Sequence, residues 1–309
     1  MIKTFLKLPF LLLVILWADY SVAQKTLIYS DPHKSYKTAQ ELFDKEKYSS
    51  AQYYFKEVIN KFDNPQDEIR INAEYYFFFF SLKLYHRNVE TILTRFALDH
   101  PDHPKSKNIY FQLGKHYYQT KKFKKSIEFF EKVDQYDLSK SDQNEYLFKL
   151  GYSKFMKKNL DESKVLFNEL LQRKTDYEIP TTYYYSHIAY SEGKYQTALE
   201  GFRKISRNKM FKPIIPYYIT QILYQQNKYD ELISYAPSYM DSITEKRKGE
   251  FAKLIADSYF KNKNFKTSLS YYKIFKKYAK SSRESNYQVA YCYYKTKDLR
   301  KAIELFSRV

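Results

Sequence analysis

The chain has 309 residues, 19% of them aromatic, with five glycines and one cysteine. So many rings exclude a disordered chain, and a single thiol excludes an internal disulfide framework. Lys and Arg number 53 against 35 Asp and Glu, a formal net charge of +18, so a charged partner is expected to be anionic.

In chain order, the first 23 residues stand apart. Lys3 and Lys7 give a positive start, and Leu8 to Trp17 is a short apolar run broken only by Pro9. Ser21-Val22-Ala23 then places small residues where a signal peptidase reads, with cleavage expected before Gln24. The apolar run falls well short of the roughly 20 residues a spanning helix needs, so the segment reads as a signal peptide and not as an anchor. No cysteine follows it to accept a lipid. Removing it takes away Lys3, Lys7 and Asp19 and leaves a net charge of +17. The mature chain is therefore expected to be exported without a transmembrane segment, periplasmic or outer-membrane associated in a Gram-negative bacterium. Nucleic acid is not an expected partner there; anionic envelope polymers and acidic protein faces are. Residues 24–31 read as a short linker.

From residue 32 onward a two-helix pattern returns every 34 to 41 residues. Its second half reads aromatic or leucine, two spacers, a small or apolar residue, three spacers, an aromatic. Clear copies are Phe123/Ser126/Phe130, Leu160/Ser163/Phe167, Tyr195/Ala198/Phe202, Phe265/Ser268/Tyr272 and Leu299/Ala302/Phe306. Such a period built only from helical patterns means stacked helix pairs, each contacting its neighbours. The units fall at about 32–68, 69–106, 107–143, 144–178, 179–212, 213–248, 249–282 and 283–309, the last incomplete. Lys121-Lys122, Lys157-Lys158-Asn159, Gly193-Lys194, Asn227-Lys228 and Asn262-Lys263-Asn264 mark the turn inside a unit, where cations and Asn suit a helix C-terminus. The run Tyr75–Phe80, which alone would favour β-aggregation, reads as part of a first helix that is apolar all round. Arg308-Val309 lies within the eighth second helix without a polar cap, an expectation that the array continues or is covered.

The residues of these units resemble the tetratricopeptide repeat (TPR) family, which places a bulky residue, then Leu-Gly, then Tyr in its first helix and Ala and an aromatic in its second. Tyr110, Leu113, Gly114, Tyr117, Ser126, Phe130 and Val133 carry the match in the third unit. Leu147, Leu150, Gly151, Ser163, Phe167 and Leu170 carry it in the fourth. The seventh has Ile255, Ala256, Tyr259, Ser268, Tyr272 and Phe275, the eighth Val289, Ala290, Tyr293, Ala302, Phe306 and Val309, and the first Ala39, Tyr48, Ala51, Phe55 and Val58. The second, fifth and sixth units match less well: Phe80 and Ile92 stand where small residues belong, and Leu232 and Ala236 where Ala and an aromatic belong. The resemblance spans roughly residues 32–309. It implies an all-α, right-handed α-solenoid of about eight TPR-like helix-turn-helix repeats, with first helices lining a concave side.

Counting from each Leu-Gly pair gives two rows on that side. Two residues before the Leu stand Tyr36, Phe77, Phe111, Phe148, Tyr183, Tyr217, Lys253 and Tyr287; five after it stand Phe43, Leu84, Tyr118, Phe155, Tyr190, Tyr224, Phe260 and Tyr294. The rows lie two helical turns apart on one stripe. Thirteen of these rings (Tyr36, Phe43, Phe77, Phe111, Tyr118, Phe148, Phe155, Tyr183, Tyr190, Tyr217, Tyr224, Tyr287 and Tyr294) are the expected partner-binding stripe, suited to a peptide or protein segment or to sugar faces. The positions between them (Gln40, Ser81, Lys115, Tyr152, His187, Gln221, Asp257 and Tyr291) are mixed. The basic clamp by which chaperone-binding TPR members hold a terminal carboxylate is not expected, because Lys115 and Lys253 are isolated.

Catalytic signals are lacking. The six histidines are His33, His86, His100, His103, His116 and His187, and only His100-Pro-Asp-His103-Pro clusters them. That segment lacks further metal ligands and reads as a capped helix end. There is no phosphate-binding glycine loop, no nucleophile turn and no Cys-His pairing. Cys292 reads as a buried small side chain. Neither enzyme activity nor a cofactor is expected. Two readings remain: a protein-interaction scaffold, or a module binding cell-wall glycan or anionic envelope polymer, either of which could be the front of a longer protein.

Overall fold

The computed structural model describes residues 31–84 and 88–308; the signal-peptide and linker readings, His86 and Val309 lie outside them. The described residues form sixteen α-helices and no strands. They are α1 (Pro32–Asp44), α2 (Tyr48–Lys61), α3 (Glu68–Lys83), α4 (Val89–Asp99), α5 (Pro104–Gln119) and α6 (Phe123–Phe130), then α7 (Lys140–Met156), α8 (Leu160–Leu171), α9 (Glu178–Ser191), α10 (Tyr195–Ile205) and α11 (Ile215–Gln225). The remainder are α12 (Tyr229–Tyr235), α13 (Glu245–Lys261), α14 (Phe265–Tyr278), α15 (Arg283–Lys295) and α16 (Leu299–Phe306). Two compact bodies result, one ending at Leu138 with three helix pairs and one beginning at Ser139 with five. Within each body every helix packs on the helices before and after it, as stacked pairs require.

The crossing inside a pair explains the small residues. A Cβ built on Gly114 would lie 2.6 Å from the Phe130 ring, and one on Gly151 would lie 2.8 Å from the Phe167 ring. Hydrogen at these positions lets a second-helix phenylalanine lie flat on the first-helix backbone. The second-helix serines then add a contact that the sequence pattern did not reveal. Ser126 Oγ donates to the Gly114 carbonyl (3.0 Å), Ser163 Oγ to Gly151 (2.8 Å) and Ser268 Oγ to Ala256 (2.8 Å). The same hydroxyl thus bridges the same pair of positions in three units. In the fifth unit the close approach is exchanged between helices, with Gly201 on α10 facing Ser186 on α9.

The expected turns appear as single left-handed residues. Lys121, Lys158, Gly193, Asn227 and Lys263 have φ between 57° and 73°, and Glu46 and Lys297 adopt the same conformation at positions the sequence reading passed over. One such residue lets the next amide donate back to the closing turn of the first helix, as Lys122 N does to the Tyr117 carbonyl (2.8 Å) and Asn159 N to Lys154 (2.9 Å). His103 Nδ1 accepts from Lys105 N (3.2 Å), so this histidine caps α5 as expected of the His-Pro segment.

The apolar cores follow the second-helix ring row. Phe55, Phe130, Phe167, Phe202 and Tyr272 are fully buried and Phe96 nearly so. Tyr75–Phe80 lies within α3, with Tyr75 and Phe80 buried and Tyr75 stacked on Phe79, so the aromatic run is helical core. In the sixth pair Leu232 and Ala236 are both fully buried, yet α12 stops at Tyr235 and a 3₁₀ turn, Ala236–Tyr239, takes over. Pro237 has no amide to continue the α-helical ladder.

Two substitutions separate close approach from backbone conformation. Gly151→Ala is expected to destabilise the body that contains it by about 1–3 kcal/mol through overpacking against Phe167. Gly193→Ala, which meets nothing within 4 Å, should cost only about 1 kcal/mol from its positive φ. Urea denaturation followed by circular dichroism measures both, and equal losses would contradict the distinction.

Candidate functional site

First helices of successive pairs also touch, α1 with α3 and α3 with α5 in one body, α7 with α9 and α11 with α13 in the other. Their outward side chains therefore share one face in each body, and the two ring rows, Phe77 apart, lie along it. Most of those rings are half-buried, because each row has a packing partner.

The row before the Leu rests on the second-helix ring of its own pair. Tyr36 meets Phe55 (centroids 5.7 Å apart), Phe111 meets Phe130 (6.0 Å), Phe148 meets Phe167 (6.2 Å), Tyr183 meets Phe202 (6.1 Å) and Tyr287 meets Phe306 (5.6 Å). The row after the Leu closes on the first ring of the second helix. Phe43 meets Tyr48 (6.2 Å), Tyr118 meets Phe123 (6.3 Å), Tyr190 meets Tyr195 (6.0 Å) and Tyr224 meets Tyr229 (5.6 Å). Phe155 instead packs on Tyr184 and His187 of the following first helix.

This placement revises the stripe. Phe111 is fully buried, and Phe148 and Tyr217 are buried too, so these three hold helices together and present almost no ring surface. Phe77 lies away from the first-helix face, beside Lys56, Ile59 and Ile92 in a cleft of about 430 Å³ shared with α2 and α4. Tyr287 and Tyr294 are the most open members, 49% and 51% exposed.

The positions between the rows, which looked uninformative in sequence, hold the polar chemistry. Tyr190 donates to Gln221 Oε1 (2.7 Å), Gln221 Nε2 donates to the Tyr217 hydroxyl (2.7 Å), and Tyr217 donates to Glu250 Oε2 (2.5 Å). The chain crosses α9, α11 and α13 through residues about one repeat apart. Beside it the Arg247 guanidinium lies 4.7 Å from the Tyr217 ring and 5.0 Å from the Tyr218 ring, and donates to the Tyr218 hydroxyl (3.3 Å). Burial, and then Arg247, hold His187 below the usual imidazole range.

A second network is internal. Lys253 donates to Asp257 Oδ2 (2.6 Å), while Tyr272 reaches both Asp257 Oδ1 (2.5 Å) and Gln288 Oε1 (2.9 Å). Asp257 is 1% exposed and so needs these donors. Cys292 is buried as expected, and burial pushes its thiol up to about 11. A thiol so far from ionisation is a poor nucleophile. Among the described residues no three His, Cys, Asp or Glu side chains converge in metal-holding geometry, and no helix is long and apolar enough to cross a membrane.

The third feature is an open cleft of about 660 Å³ between α13 and α15, lined by Phe260, Lys261, Lys263, Phe265, Tyr287, Tyr291 and Lys295. Tyr291 is its centre, with the rings of Phe260 at 5.6 Å, Phe265 at 5.7 Å, Tyr294 at 6.2 Å and Tyr287 at 6.3 Å. Phe260 and Tyr291 were passed over as site candidates; the signal was their register beside Tyr287 and Tyr294 together with the flanking lysines.

The helix pairs, their small-residue crossings and their left-handed turns make the chain TPR-like in fold. No protein-family model and no curated protein matches it. Among solved structures, a tetratricopeptide repeat protein from Parabacteroides merdae is similar over 84% of this chain and 98% of its own, at 10% identity and a TM-score of 0.47. Pseudomonas aeruginosa PilF is 15% identical over 64% of this chain and 88% of its own, with a TM-score of 0.46. The apo form of RapI is 14% identical over 84% of this chain and 80% of its own, with a TM-score of 0.49. Identities this low carry no function across.

The buried hydroxyls give a pH dependence. Burial, foremost, raises Tyr36 and Tyr224 to about 12 and drives Tyr75, Tyr183, Tyr217 and Tyr235 higher still. An unfolded tyrosine ionises near pH 10. Each therefore contributes stability that is intact below that pH and is lost as pH rises toward the folded value. Thermal midpoints are expected to fall above about pH 10, with tyrosinate absorbance appearing together with loss of helix. Ionisation of these six tyrosines near pH 10 in the folded chain would contradict the burial.

Proposed function

We propose that the chain is a non-catalytic, exported interaction scaffold that holds a peptide or protein segment on its first-helix face, in the body formed by α7 to α16. The observation that carries the reading is the exposure of Tyr287 and Tyr294 beside the half-buried Phe260 and Tyr291, on helices whose other rings are committed to packing. Large, stiff rings supply contact area at low entropic cost, and a rigid stack of helix pairs positions them in advance. The absence of enzyme activity is supported by how the ionisable groups are engaged: Tyr217 with Glu250, Tyr272 with Asp257, and a thiol pushed far from neutrality. Export rests on the reading of residues 1–23 as a cleaved leader, and a mature N-terminus at Gln24 by mass spectrometry is the expected result.

The interaction reading is tested by affinity capture from envelope extracts with the double variant Tyr287→Ala, Tyr294→Ala. Both residues are about half exposed, so the variant should keep its thermal midpoint within a few degrees. Captured protein is expected to drop by roughly tenfold or more, the loss typical of central aromatic contacts. An unchanged set of captured proteins at unchanged stability would refute the reading.

A further inference from the structure

We infer that the cleft between α13 and α15 is a subsite for an acidic peptide segment carrying an apolar side chain. This rests on the interaction reading above and names the chemistry of its partner. The floor is the ring cluster around Tyr291, and the rim is Lys261, Lys263 and Lys295. None of the lining residues is acidic, and among the described residues none of the three lysines has a carboxylate within ion-pair distance. Some cations elsewhere in the same body are neutralised by a carboxylate: Lys154 pairs with Glu162, Lys164 with Glu192, Arg203 with Glu231 and Lys253 with Asp257. Three unpaired ammonium groups around one ring cluster, with no carboxylate among the lining residues, give the cleft a positive rim.

The polar inventory selects the ligand class. Lysine ammonium groups only donate hydrogen bonds, and carboxylates only accept them. A glycan presents many hydroxyls that also donate, and among the lining side chains only the Tyr287 and Tyr291 hydroxyls could accept them. A peptide with acidic residues flanking an aromatic or aliphatic one matches both parts: its carboxylates meet the lysine rim and its apolar side chain enters against Phe260, Phe265 and Tyr291. Lys295 already lies 5.3 Å from the Tyr291 ring and 5.6 Å from Tyr294, which holds its charge at the edge of the floor.

Fluorescence anisotropy with capped, dye-labelled peptides tests this on the whole mature chain. The probe is Glu-Glu-Trp-Glu-Glu, compared with Lys-Lys-Trp-Lys-Lys, with Glu-Glu-Ala-Glu-Glu and with the anionic polysaccharide polygalacturonate as competitor. The acidic tryptophan peptide is expected to bind, the basic one not, and the alanine peptide about tenfold or more weakly, with affinity falling as salt is raised. The triple variant Lys261→Gln, Lys263→Gln, Lys295→Gln, whose side chains are all exposed, should lose roughly tenfold or more while melting as the parent does. Equal binding of acidic and basic peptides, binding untouched by the triple variant, or stronger binding of polygalacturonate than of the peptide would each overturn the inference. If the acidic peptide fails while the Tyr287/Tyr294 variant still loses captured protein, this subsite fails and the interaction reading stands. If neither responds, both fall.

Discussion

The close crossing of the two helices in a pair is the contact on which the rest depends. Where the first helix carries glycine or alanine, the second can bring a phenylalanine or tyrosine directly over its backbone, as at Gly114 with Phe130 and Gly151 with Phe167. The ring then fills the space between pairs, and the nearby serine hydroxyl fixes the separation by bonding the first-helix carbonyl. Because interiors tolerate neither voids nor overlap, this one contact sets how far apart the first helices stand. That spacing in turn decides which first-helix side chains are covered and which remain open.

A consequence is that a row of rings in such an array serves two surfaces at once. Tyr183 rests on Phe202 and stacks on Phe211, yet belongs to the face shared by α9 and α11. Its partners leave little ring free, and the same holds for Tyr190 and Tyr224. At α15 the ring of Phe306 covers only part of Tyr287, and Tyr294 is about half exposed. Lys261, Lys263 and Lys295 surround the same opening. Aromatic surface and unpaired charge therefore coincide there.

Much of the fold was legible because it is local. The period, the small residue in each helix and the turn markers can be counted along the chain, and the structure places a left-handed residue within all five marked turns. The site was less legible for a physical reason. A ring at a given register has the same spacing whether its neighbours cover it or leave it open, so Phe111 and Tyr287 looked alike in sequence and differ widely in exposure although each touches the ring of its own second helix. The polar networks were hidden for a second reason. Tyr190 and Gln221, or Tyr217 and Glu250, lie about a full repeat apart, and only stacking brings them together. Unit six shows a third limit: Leu232 and Ala236 fill the expected core positions, but Pro237 shortens the helix and converts its end to a 3₁₀ turn.

The central claim is the proposal that the first-helix face around α15 meets a protein. Site-specific incorporation of a photo-crosslinking phenylalanine analogue tests it most directly, at Tyr287 on α15 and at Val165 on α8, which is 68% exposed on the opposite type of helix. Illumination in the producing cells should yield a discrete protein adduct at position 287 and none at position 165. Adducts of equal yield at both positions, or at 165 alone, would contradict the account.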